Sequence, residues 1–460
     1  MNTSNVNRFW NLTPGFITHC LWGSLIILFV LAAGIFEGRA VSPSGHFQRP
    51  LLQLQRQGKC AELTQFGINT HQRRNPDAVN VRLVSEIRAR AVRFDIPWIE
   101  LESEGQYSFR PYDDLITGLR QNGKSIVLLL AYGHPDHSDG RAANGYPLPP
   151  RTPEQRAAYA RYAAAVAQRY HGPDIVYEIW NEPNLALFWP PTPDATAYGE
   201  LLAESAQAIR RIDPSATIIS AGLANVNNPP EFLRAIAKTG ALSGINGISF
   251  HPYRQDGPEN SLYDIAEFKK AAIGRVDLPL WITEWGYSET WLANRDIGEV
   301  SHGAAVMTAR LMLTAALAKS KTALLYDLID DGDDPHDQES HFGLYDYAFR
   351  PKKAATVFRT LADLMSDCST YEFKYDLRQD LVTAAFYFGD RISYVIWTYA
   401  VGVNEVCFGT IGTQPIDLKD VEGNGLPVEP CGTVPQVKVR LKISEKSGPV
   451  ILQAQNTSSK

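Results

Sequence analysis

Between residues 60 and 330 the chain repeats one pattern: a short apolar run, then a longer amphipathic stretch, then another apolar run. The runs are "LTQFGIN", "ARAVRFDI", "KSIVLLLAY", "DIVYEIW", "ATIISAG", "INGISFH", "PLWITEW" and "TALLYDL". Most intervals between them hold a helical pattern, clearest in "PEQRAAYARYAAAVAQRY" (153–170) and "ATAYGELLAESAQAIRRI" (195–212). Strands alternating with helices pair in parallel. Eight such units predict an α/β fold, a (β/α)8 TIM barrel over 60–366. An open doubly wound sheet would place a glycine-rich phosphate turn after an early strand, and "FGINTHQRR" contains none.

Beyond "RPKKAATVFRTLADLMS" (350–366) the texture changes to short β-rich runs separated by turn residues: "LVTAAFYFG", "RISYVIWTY", "NEVCFGTIG" and "VPQVKVRLKI". Residues 367–460 are therefore predicted to form a small C-terminal antiparallel β-sandwich domain packed on the barrel. At the other end, "FITHCLWGSLIILFVLAAGIF" (16–36) is nearly all apolar and long enough to span a bilayer. Residues 1–40 read as a signal anchor or a cleaved signal peptide, Arg8 keeping the N-terminus cytoplasmic. Residues 41–59 read as a linker. Either reading places the rest of the chain outside the cytoplasm, anchored to the membrane, secreted or periplasmic.

Five cysteines suit an exported protein with few disulfides. Cys20 lies in the apolar segment. Cys407 and Cys431 are expected to pair across a loop with no evident core, leaving Cys60 and Cys368 to join the start of the barrel to the domain boundary. No cysteine or histidine spacing suggests zinc, and neither a metal nor a cofactor is expected. The acidic run "DLIDDGDDPHD" lacks calcium-loop spacing and reads as a solvated loop, as does the alternation of Glu100, Glu102 and Glu104. A net charge of −6 without a basic run disfavours nucleic acid.

In such a barrel the strand C-termini meet at one face, so the residues ending each run decide the chemistry. The second run offers Arg93, Asp95 and Trp98; the third, Tyr132 and His134. The fourth ends on Trp180, Asn181 and Glu182, the sixth on His251 and Tyr253, the seventh on Glu284 and Trp285, and the eighth on Tyr326 and Asp327. Two glutamates at separate strand ends, among aromatics, are what glycosidic cleavage needs. One acid protonates the leaving oxygen, and the other carboxylate attacks carbon or activates water. Trp98, Trp189, Trp285 and Trp291 are candidate sugar platforms, with core packing as the ordinary alternative.

"EIWNEPN" with "WITEWG" resembles the retaining glycoside hydrolases of clan A. "AVRFDIPW", "SFHPY" and "HFGLYDYAFRPKKAA" make the chain look most like glycoside hydrolase family 39 and related bacterial exopolysaccharide glycosidases. The resemblance spans about residues 60–365. It implies Glu182 as acid/base, Glu284 as nucleophile, Asn181 on the sugar 2-hydroxyl and Arg93 as the group keeping the nucleophile ionised. It also implies His251 and Tyr253 near the nucleophile, with His134 and the aromatics Trp98, Trp189 and Trp285 at the substrate. Where many clan members carry a tryptophan after the eighth strand, this chain has Tyr326-Asp327. The expected activity is hydrolysis of a poly- or oligosaccharide through a covalent glycosyl-enzyme. The alternatives are a non-catalytic carbohydrate-binding protein and a partner of a polysaccharide-export machine.

Overall fold

The computed structural model describes residues 55–455 apart from 72–75, 144, 273–276, 294–297, 377–380, 399–401, 403, 410–414, 432–437 and 445. The expected membrane or signal segment and Cys20 lie outside the described residues. The first strand, β1 (Gln55–Lys59), pairs antiparallel with a strand more than three hundred residues later in the chain. The end of the expected linker is thus part of a sheet. Its polar sequence hid this, because an edge strand is held by backbone hydrogen bonds and needs no apolar alternation.

Eight parallel strands then close a barrel: β2 (Gln65–Asn69), β3 (Ala91–Pro97), β6 (Ser125–Ala131), β7 (Ile175–Ile179), β8 (Thr217–Ala224), β9 (Gly247–His251), β10 (Leu280–Trp285) and β11 (Thr322–Leu325). A two-residue ribbon, β4 (Glu102–Ser103) with β5 (Gln106–Tyr107), interrupts the series after β3. Both clearest helical patterns form. Pro153–Arg169 starts with a capping box, in which Thr152 Oγ1 accepts from the Gln155 N–H and the Gln155 side chain returns the bond. Asp194 caps Ala195–Ile212. Inside the barrel, Ala91, Val127, Val176, Ile219, Trp281 and Leu324 form an apolar plug. Above it the inward positions turn polar.

The C-terminal strands are β12 (Thr370–Asp376), β13 (Leu381–Phe388), β14 (Arg391–Trp397), β15 (Asn404–Gly409), β16 (Pro415–Asp420), β17 (Glu429–Cys431), β18 (Lys438–Ile443) and β19 (Val450–Gln455). They build a six-stranded sheet, β1-β12-β13-β14-β19-β16, and a three-stranded sheet, β15-β18-β17. One face of the larger sheet packs on the smaller through Ile392, Tyr394, Ile396, Val406, Leu441 and Leu452. Its other face, with Phe373, Val382, Phe386 and Trp397, joins the barrel's core. The helix Val300–Leu317 is apolar nearly all round. Its length and hydropathy would suit a membrane span, but it is covered on both sides by protein. Both expected disulfides form, Cys60–Cys368 and Cys407–Cys431, as suits a protein folding outside the reducing cytoplasm.

Candidate active site

The fourth strand ends in a strained turn. Trp180 has φ 71° and Glu182 φ 41°, both left-handed and costly for side chains with a Cβ. Hydrogen bonds hold the strain in place. The Trp180 N–H donates to Leu130 O (3.1 Å) and the Glu182 N–H to Gly222 O (3.1 Å). Asn184 clamps the turn to the end of β8: its Oδ1 accepts from the Ala224 N–H (3.0 Å) and its Nδ2 donates to Ala224 O (2.9 Å). The buried half of "IVYEIWNEPN" is strand, and the polar half is a fixed turn that presents Asn181 and Glu182 to the barrel interior.

Arg93 organises the opposite side. Its Nε donates to Glu178 Oε2 (2.6 Å). One terminal nitrogen donates to Glu284 Oε1 (2.7 Å) and Asn69 Oδ1 (3.0 Å), the other to Asn181 Oδ1 (3.0 Å). Tyr253 completes the shell of Glu284, its hydroxyl donating to Oε2 at 3.4 Å. Burial pushes Glu284 upward, but His251 and Arg93 outweigh it and hold the carboxyl below the usual glutamate range. Glu182 goes the other way. Burial raises it, repulsion from Glu284 adds to the rise, and the hydrogen bond from His251 only partly offsets them. Two carboxyls in one pocket are thus driven in opposite directions, as separate acid and nucleophile roles require.

The proton on Glu182 is shared with a relay. His251 Nδ1 lies 2.8 Å from Glu182 Oε1, and its Nε2 lies 2.9 Å from Thr283 Oγ1. Thr283 donates its only hydroxyl proton to Glu178 Oε1 (2.8 Å), which also accepts from the Gly222 N–H (3.0 Å). Thr283 can then only accept from His251, so this network assigns a proton to Nε2. One further proton lies between Nδ1 and Glu182. The charges of Glu284 and Glu182 raise the His251 pKa despite burial.

The structure brings Arg93, Asn181, Glu182, His251, Tyr253 and Glu284 together. It corrects the expectation for the tryptophans. Trp98, Trp189 and Trp285 are wholly buried. Trp98 is stacked between Tyr162 (5.4 Å) and His137 (4.9 Å), leaving no face for a sugar. Trp189 packs edge-on to Trp180 and Tyr198. Trp285 points away from Glu284, into the helix layer, because successive strand residues face opposite sides. His134 is buried against Trp98, with Nε2 at 3.2 Å from Glu102 O and Nδ1 accepting from the Asp136 N–H. It holds the ribbon after β3. Glu102, expected on a solvated edge, is likewise buried and accepts from Trp98 Nε1 (2.6 Å).

Partly exposed aromatics line the mouth instead. Tyr253 and Trp291 pack with Tyr326 and Phe342 on the Glu284 side. On the Glu182 side, Tyr132 stacks on Phe188 (5.7 Å) beside Leu185 and Leu187. Sequence reasoning missed Asn69, Glu178, Thr283, Phe188 and Phe342. For Glu178 a signal was present: a carboxylate inside an apolar run must be paired when buried.

The family profile described as Cellulase (glycosyl hydrolase family 5) matches residues 57–313. Among curated proteins, none matches the chain in sequence. Among solved structures, a family 39 glycoside hydrolase from the gut symbiont Bacteroides cellulosilyticus shares 22% identity, with 85% of this chain and 81% of that one covered, at a TM-score of 0.68. A monomeric beta-xylosidase from Caulobacter crescentus shares 18%, covering 86% and 96%, at 0.62. A family 39 enzyme from Xanthomonas axonopodis pv. citri shares 16%, covering 85% and 94%, at 0.58. At these identities the likeness is one of fold.

Proposed function

Since the chain belongs to the Cellulase family (glycosyl hydrolase family 5) and is a clan A glycoside hydrolase with a fold like that of family 39 enzymes, we propose that it cleaves O-glycosidic bonds of a poly- or oligosaccharide with retention of configuration. The observation that carries this reading is the pairing of two buried carboxyls, Glu284 held low and Glu182 raised, with an oxygen of each within 4.8 Å of the other. One donor atom each from Glu182, His251 and Glu284 lie within 4.8 Å of one another. Direct attack by a carboxylate uses carboxyl groups about 5–5.5 Å apart, whereas a water between them needs about 6.5–9.5 Å.

Glu284, held low by Arg93 and His251, attacks the anomeric carbon while Glu182 protonates the leaving oxygen. Glu182 then takes a proton from the water that hydrolyses the glycosyl-enzyme. Arg93 occupies the Asn181 carbonyl, which leaves the amide N–H groups for the sugar 2-hydroxyl. The aromatic clusters on both sides of the pair supply apolar walls for sugar rings. In this reading the long connection at 133–153 shapes one wall of the cleft. The enzyme is exported, held at the membrane or released according to how residues 16–36 are processed, and acts in exopolysaccharide metabolism.

Kinetics of two variants test the assignment. Glu284→Ala should abolish turnover, and added azide should yield a product of opposite anomeric configuration. Glu182→Ala should slow substrates with poor leaving groups by about 10²–10⁴-fold and spare activated ones. Substantial turnover by Glu284→Ala without azide would remove it from the nucleophile role.

A further inference from the structure

The acidic run after β11 (327–337) is only in part the solvated loop its composition suggests. Asp327 and Asp330 are buried, as is Glu339 two residues beyond the run, while residues 333–336 are exposed. Asp330 is paired: Lys352 Nζ lies 2.8 Å away and the Gly343 N–H donates to it. Among the described residues, no lysine or arginine pairs with Asp327 or Glu339. Their carboxyls instead face a histidine and a phenol. His71 Nε2 lies 3.4 Å from Asp327 Oδ2, 3.7 Å from Asp331 Oδ1 and 3.2 Å from the Tyr326 hydroxyl, which lies 3.5 Å from Glu339 Oε2.

These separations resemble the edges of a coordination shell. Donors bound at about 2.0–2.2 Å to one ion sit about 3–3.7 Å from each other. One donor atom each from His71, Asp327 and Asp331 lie within 4.8 Å of one another. Glu182, His251 and Glu284 meet the same spacing, so spacing alone does not decide. Saturation does. Neither catalytic glutamate has a buried oxygen lacking a partner, whereas Asp327 Oδ1 and Glu339 Oε1 are buried with no hydrogen-bond partner. Asp327 is 2% and Glu339 1% exposed. A buried carboxyl oxygen without a donor is compensated either by a proton or by an ion.

We propose that His71, Asp327 and Asp331 ligate one divalent transition metal, with Glu339 beside them. An imidazole among carboxylates favours zinc or manganese over calcium, which takes oxygen donors. Bound there, the ion ties the segment after β2 to the loop after β11, close enough to Glu284 for the charges to interact. The proposal is independent of the glycosidase reading, because its readout is metal content rather than turnover.

The full chain, freed of any affinity tag and stripped with chelator, is titrated separately with Zn²⁺ and Mn²⁺. Bound metal is then counted by mass spectrometry after desalting. The expected result is about one ion per chain. Affinity should fall at least about 10-fold in Asp331→Asn and in His71→Gln, and persist in Glu182→Gln. Far-UV circular dichroism selects the folded variants, and His71, a third exposed, offers the substitution gentlest on the core. The proposal is overturned if the wild type binds neither ion, if binding survives both ligand variants, or if it is lost in Glu182→Gln, which would place the ion at the catalytic pair.

Discussion

Arg93 bonds at once to Glu284, the proposed nucleophile, to Asn181, to Asn69 and to Glu178, all within 3.0 Å. Only a planar fork of donors can do this. A lysine keeps the charge and loses the geometry. Arg93 and His251 together overcome the burial of Glu284, so weakening either lets its pKa rise. The proposed mechanism needs Glu284 ionised and Glu182 protonated. It should therefore rise with pH through the Glu284 pKa and fall through the raised Glu182 pKa. In Arg93→Lys the ascending limb of kcat/KM is predicted to move to higher pH, while in Glu182→Gln the descending limb disappears. An ascending limb that stays in place in a folded Arg93→Lys enzyme would show that Arg93 does not control the nucleophile. Both glutamates were legible because each ends an apolar run, where the barrel opens. Thr283 was not, because a threonine inside a strand looks like ordinary β-propensity until its partner on another strand is known.

Two strands carry irregularities that place chemistry. The β10–β11 register shifts between Ile282 and Trp285, and the consecutive residues Thr283 and Glu284 both serve the polar network, one through Glu178 and the other through Arg93. The β8–β9 register shifts between Ile219 and Gly222. Gly222 is a glycine because a Cβ there would sit 1.9 Å from His251 Nε2. Gly222→Ala must displace the ring, breaking the bonds to Thr283 and Glu182 together. The expected cost is about 1–3 kcal/mol of stability and about 10²-fold in kcat for substrates with poor leaving groups. Thermal unfolding with kinetics on paired good and poor leaving groups checks both, and wild-type kinetics in the variant would mean that the relay does not serve Glu182. Strand ends also explain the misread tryptophans. Sequence gives the end of a run but not which way its last side chain turns, and Trp98 and Trp285 turn into the helix layer.

At the scale of the whole molecule, the alternation of runs and helices was legible because the barrel strands are buried on both sides and helices such as Ala195–Ile212 on one. The β-rich tail and both cysteine pairs were legible for similar reasons of composition and spacing. The shared core was not. Nothing local says that Val300–Leu317 is buried on nearly all sides, or that Gln55–Lys59 crosses over to join the six-stranded sheet. The acidic run misled in the same way, since Asp327 at its start is buried where β2 and β11 lie side by side. The central claim is that Glu182 and Glu284 act in double displacement across a short gap. The most direct measurement follows the first product of the wild-type enzyme by proton NMR, before mutarotation scrambles it. The predicted signal is the anomeric proton in the configuration of the substrate bond; a product that first appears as the opposite anomer would contradict it.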